Sequence, residues 1–171
     1  MPITQYFHIM SIILGIDPGV ADTGYGVIKK ESNGRLVCLE YGSIRTHAGD
    51  EMPARLEKLY DNLYKKIEGY KPSLMAIEQL FFCKNVKTAL TVGQARGAVM
   101  VIARKNKVSL YEYTPLQIKQ AVSTYGKASK GQVQKMVQFL LGLNELPAPD
   151  DAADALAAAI CASNSVKSYK V

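Results

Sequence analysis

A chain of 171 residues can bury a substantial core in one domain and is too short for two full ones. Hydrophobic residues make up 48% and charged residues 21%, which excludes a disordered or collagen-like chain, and the longest apolar run, ALAAAICA, falls far below the roughly 20 residues of a membrane span. Lysine and arginine outnumber aspartate and glutamate by 21 to 15, a net charge of +6 that favours a polyanionic partner.

The opening MPITQYFHIM lacks the basic start and apolar core of a secretory signal, so no membrane association and a cytoplasmic location are expected. Cys38, Cys83 and Cys161 match neither zinc-ligand nor disulfide spacing and read as reduced thiols. SIILGIDPG, residues 11–19, is a short isoleucine-rich run closed by a Pro-Gly turn, which predicts a buried central strand with Asp17 at its end. TGYGVIKK (23–30) and RLVCLEYGSIRT (35–46), separated by an Asn-Gly turn, extend it into a three-stranded meander. From Met52 to Tyr70, Leu56, Leu59, Tyr60, Leu63, Tyr64 and Ile67 recur at threes and fours, an amphipathic helix that Gly69 and Pro72 should close.

SLMAIEQL (73–80) is a second buried strand, uncharged until Glu78. A helix over 86–105, a strand at 109–113, a helix after Thr114-Pro115, a helix over 130–141 and a last helix in PAPDDAADALAAAI complete the order. Three strands, helix, strand, helix, strand and helices predict a mixed five-stranded sheet with helices on both faces, an α/β domain over 11–165. Residues 1–10 are expected to be an N-terminal extension and 166–171 a C-terminal tail.

The carboxylates carry the chemistry. Asp17 and Glu78 each end an apolar strand, where a lone ionised acid is costly. Each also has a plain structural explanation: Asp17 as a turn former, Glu78 as the partner of Lys84 or Lys87. In the last helix, Asp150 is expected to be the N-cap, with Asp151 in the first turn, where the helix dipole favours acids. Asp154 lies three residues beyond Asp151, so the two project about 60° apart on one face and repel. The alanines that follow let this helix approach a sheet closely, bringing Asp151 and Asp154 toward whatever the strand ends carry; if those ends are Asp17 and Glu78, four acids meet. Four such acids require cations, and oxygen ligands without histidine or thiol select magnesium or manganese. Two such ions suit phosphoryl transfer by in-line displacement.

Taken together and in order, LGIDPG, TGYGVI, AIEQ, GQARG and DAADALAAAI resemble the RuvC family, the bacterial Holliday junction resolvases, from about Ile12 to Ser163. That resemblance implies an RNase H-like fold, a homodimer, and magnesium-dependent nicking of two like-polarity strands of a four-way DNA junction, leaving 5′-phosphate and 3′-hydroxyl ends. It places the catalytic and metal-holding acids on Asp17, Glu78, Asp151 and Asp154, with two Mg2+ per site and Mn2+ as a substitute. It places DNA contacts on Phe81, Lys119 and Lys130, the dimer contact on the helix with Gly93 and Gly97, and implies the RuvA-RuvB branch-migration complex as a partner. Two rival readings are an actin-like ATPase, for which 171 residues are too few, and a non-catalytic junction-binding module. A binding module would gain nothing from clustered acids facing DNA.

Overall fold

The computed structural model describes residues 11–79, 86–123 and 126–165. Five strands, β1 (Ser11–Asp17), β2 (Asp22–Lys30), β3 (Leu36–Arg45), β4 (Leu74–Glu78) and β5 (Ser109–Tyr113), form one sheet in the order β3-β2-β1-β4-β5. The first three are the antiparallel meander that their turn residues predict, and β4 and β5 join parallel to β1 through helical crossovers. Helices α1 (Met52–Tyr70) and α2 (Val86–Lys105) cover one face; α3 (Pro115–Ser123), α4 (Lys130–Leu141) and α5 (Asp150–Ser165) cover the other.

Period-two alternation divides the core between these faces. Leu14, Ile16, Met75 and Ile77 pack with Leu59, Leu63, Val99 and Ile102 of α1 and α2, while Ile13, Ala76 and Ile28 pack with α3, α4 and α5. The two helix faces are built differently. On the α5 side three glycines clear the sheet surface: a Cβ on Gly15 would meet the Ala155 carbonyl oxygen at 1.9 Å, one on Gly24 the Asp151 carbonyl oxygen at 1.9 Å, and one on Gly26 the Leu156 side chain at 2.6 Å. Alanines on the helix and glycines on the strands together bring two backbones into contact. From Asp151 to Ser163 only the two aspartates escape burial.

Two helix caps differ in detail from expectation. α1 ends at Tyr70, just before Pro72, as expected, but its cap is Lys71 in the left-handed conformation (φ 49°), whose N–H donates to the Ile67 carbonyl. The left-handed terminus is thus taken by a lysine, and Gly69 stays helical. At α5, Asp150 is not the N-cap: the Pro149 carbonyl accepts from Ala152 and Ala153 N–H at 3.0 and 3.3 Å, which places Asp150 inside the first turn. Its carboxylate instead accepts from Gln134 Nε2 at 2.7 Å and pairs with Lys130 at 3.2 Å, tying α5 to α4.

Candidate active site

Ile16 lies opposite Ile77 in the parallel β1–β4 pair, so the next residues, Asp17 and Glu78, end neighbouring strands at the same level. Both isoleucines point toward α1 and α2, so alternation turns both acids to the other face, where α5 lies. Asp17 is also paired with Gly24, and the missing Cβ of Gly24 is what admits the Asp151 carbonyl. Sheet register and glycine clearance therefore bring Asp17, Glu78, Asp151 and Asp154 to one end of the sheet from three elements.

Their mutual influence is visible in their protonation. Burial pushes Asp17 up to about 7, and the charges of Asp154, Asp151 and Glu78 push in the same direction against Lys130. Burial and then Asp154 raise Glu78, with Lys119 opposing; burial and then Asp22 raise Asp151. Among the described residues the cation opposing Glu78 is Lys119; the expected partners, Lys84 and the Lys87 side chain, lie outside them.

The cations come from α3 and α4. Ser129 caps α4 through a capping box with Gln132, which fixes Lys130 in the first turn. Its ammonium lies 3.2 Å from Asp150 and 3.3 Å from Asp154. Burial alone would depress Lys130, but Asp154 and Asp150 raise it. Lys119 and Lys130 line a cavity of about 250 Å³ together with Glu78, Asp154, Ile118 and Ala157. The third expected DNA contact, Phe81, lies outside the described residues.

Among the described residues, no three carboxylates, imidazoles or thiols already stand together as ligands for one ion. The donor set nevertheless fits a hard divalent cation. Three of its acids are held up by burial and mutual repulsion, and Lys130 stands beside Asp154 where positive charge is needed.

Two residues near the acids were absent from the sequence reading. Arg96 donates from Nη1 to the Glu78 carbonyl at 2.5 Å and from Nη2 to Glu112 at 2.7 Å, with its side chain only 11% exposed. It fixes the end of β4 against α2 and β5. The signal was a lone arginine among the small residues of GQARG. Asp22 faces Asp151 from the start of β2; its Oδ2 pairs with Arg45 at 3.1 Å, and its Oδ1 is buried without a partner among the described residues. Nothing in a turn sequence such as VADTG distinguishes that aspartate from an ordinary turn residue.

The open face of α2 contrasts with its packed one. Ala95, Val99 and Ile102 are buried on the sheet, while Val86, Leu90 and Val101 are 70%, 66% and 55% exposed. Gly93 and Gly97 share that open face, and a Cβ on either would meet nothing within 4 Å.

Comparison with known proteins supplies the context for this geometry. The family described as "Crossover junction endodeoxyribonuclease RuvC" matches residues 13–162. A protein of that name from Rubrobacter xylanophilus is 53% identical over 150 residues, covering 88% of this chain and 83% of its own length. Among solved structures, Thermus thermophilus RuvC in complex with a Holliday junction substrate superposes with a TM-score of 0.85 at 34% identity, covering 88% of this chain and 92% of that one. The yeast mitochondrial Holliday junction resolvase Ydc2 superposes with a TM-score of 0.63 at 16% identity, covering 90% of this chain and 76% of that one, a likeness of fold, here RNase H-like.

Proposed function

This chain belongs to the RuvC family of crossover junction endodeoxyribonucleases, and we propose that it resolves four-way DNA junctions by hydrolysing two strands of like polarity at symmetric positions. The observation that carries the reading is the convergence of Asp17, Glu78, Asp151 and Asp154 at one sheet end, close enough that burial and their neighbours raise Asp17 to about 7. Acids that repel one another at a surface meant for a polyanion have a use only when cations are held between them and the phosphate.

Family membership implies a divalent cation, and the four acids are the residues that would hold it; we take it to be magnesium, two ions per site, with manganese able to replace it. When bound, such ions supply Lewis-acid stabilisation of the phosphoryl oxygens and acidify water. The chain's own residues do the rest. β1 and β4 fix Asp17 and Glu78 in register, and Arg96 holds the Glu78 backbone. Lys119 and Lys130, on the wall of the adjoining cavity, neutralise the DNA backbone and orient the phosphate for attack. Water adds to phosphorus and the bond to the 3′ oxygen breaks, leaving 5′-phosphate and 3′-hydroxyl ends. Phe81, which the family resemblance places just after the β4 acid, would be a junction contact.

Symmetric incision requires two sites related by a two-fold axis, and the exposed face of α2 around Gly93 and Gly97 is the surface we assign to a homodimer. Residues 11–165 then form the nuclease domain. Cytoplasmic action with the RuvA-RuvB branch-migration complex follows from the same reading; among the described residues no helix is long and apolar enough to cross a membrane.

The test is incubation of the chain with a labelled four-way junction and a matched linear duplex, with and without magnesium. Paired nicks at symmetric positions in the junction alone, dependent on metal and lost on Asp17→Asn, are expected. Binding without cutting would instead favour a non-catalytic junction-binding module.

A further inference from the structure

A second cavity, of about 360 Å³, opens beside the β1–β2 turn, walled by Val20, Asp22, Arg55, Thr88 and Thr91. Its turn follows Asp17 and Pro18 directly, and its other walls come from α1 and α2. The cavity holding Lys119 and Lys130 is walled by α3, α4 and α5, so the two depressions flank the acids from opposite faces of the sheet.

Arg55 is fixed in this wall. Its Nε donates to Thr46 Oγ1 at 2.8 Å, and that hydroxyl donates to the Val20 carbonyl at 2.5 Å, so the guanidinium is tied through Thr46 to the turn after Asp17. Among the described residues no carboxylate pairs with Arg55. Asp22, the acid on the cavity wall, pairs through Oδ2 with Arg45, and its Oδ1, unpartnered among the described residues, is buried rather than open to solvent. A half-buried arginine, oriented by a hydroxyl at Nε and left without a counterion, presents its terminal nitrogens as a phosphate fork.

We infer that this cavity is a phosphate subsite in which Arg55 holds a backbone phosphate of the cleaved strand on the far side of the acids from Lys119 and Lys130. The inference deepens the nuclease reading and rests on it. Cations on both sides of the cut would hold the strand in line across the acids, and the β1–β2 turn would couple that grip to the position of Asp17.

The experiment measures binding of the full chain to a four-way junction in chelator, over a range of salt, for wild type, Arg55→Gln and Arg55→Lys. The same junctions are prepared with single uncharged methylphosphonates at each position flanking the incision. Arg55→Gln should weaken binding about tenfold and flatten the slope of log affinity against log salt by about one. One methylphosphonate position should weaken wild type and give no further loss in Arg55→Gln, while Arg55→Lys recovers the slope. Losses that simply multiply at every position, or an unchanged slope, would overturn the subsite. Competition by inorganic phosphate that depends on Arg55, with no such backbone position, would assign the cavity to a free anion instead and overturn it equally. A wild-type chain that binds the junction but never nicks it with magnesium contradicts the nuclease reading, and the binding comparison still decides the subsite.

Discussion

Two helices rich in small residues lie on opposite faces of one sheet, and they use those residues differently. α5 presses its alanines against Gly15, Gly24 and Gly26, leaving no room for a single added carbon. α2 packs Ala95 and Val99 inward but leaves Gly93 and Gly97 facing open space beside exposed Val86, Leu90 and Val101. The first arrangement is complete within the chain, and its result is to hold Asp151 and Asp154 against the strand ends. The second has close-approach geometry that nothing among the described residues covers, and it is the surface proposed above for a second copy.

The contrast can be broken most severely at the sheet glycines. Gly24→Ala should destabilise the fold by about 3 kcal/mol, since its Cβ meets backbone rather than a movable side chain, and should lose magnesium-dependent stabilisation as well. Thermal unfolding with and without magnesium reads both effects. Arg96→Gln comes next, at about 2 kcal/mol, because it releases the Glu78 carbonyl and strips Glu112 of its partner. Cleavage should fall further than stability, as the end of β4 loosens.

A titration sharpens the comparison on the α5 side. Asp17 is raised from 3.8 to about 7, so between these values the folded state binds more protons than the unfolded chain. This group's contribution to metal-free stability is therefore fully present below 3.8 and is lost as pH rises through about 7. The upward shifts of Glu78 and Asp151 act in the same direction. Magnesium should raise the thermal midpoint, most of all at and above pH 7, by relieving the repulsion. A midpoint that ignores both pH and magnesium would mean the acids do not interact. The smallest effect belongs to α2: Gly97→Ala should leave the chain as stable or up to about 1 kcal/mol more so, while shifting the dimer toward monomer in analytical ultracentrifugation.

Much of this was legible in the sequence because it was written locally. Apolar runs ending in one acid gave β1 and β4, the spacing of threes and fours gave α1, and α2, β5 and α4 fall at the bounds expected for them. The pairing of Asp17 with Glu78 followed from two strands ending alike. What was not legible depends on which elements become neighbours. Lys119, forty-one positions after Glu78 in the numbering, opposes its charge because α3 packs against α5 and lines one cavity with the end of β4, which no local pattern states. Asp150 has the letters of an N-cap, yet its carboxylate goes to Gln134 and Lys130 because α4 stands within reach. Arg96 lay inside a motif read as a dimer contact, and only the register of β4 with β5 shows it bracing Glu78. The glycines of LGIDPG and TGYGVI were visible as letters, but their function as the floor under α5 needed the helix in place.

The central claim is that acids from β1, β4 and α5 make one cation site. Calorimetric titration of manganese into the full chain, without DNA, tests it most directly when repeated with Asp17→Asn, Glu78→Gln and Asp154→Asn. Saturable binding in wild type, weakened by each substitution although the three residues belong to different elements, is the predicted result. Isotherms unchanged by any one of them would contradict a shared site.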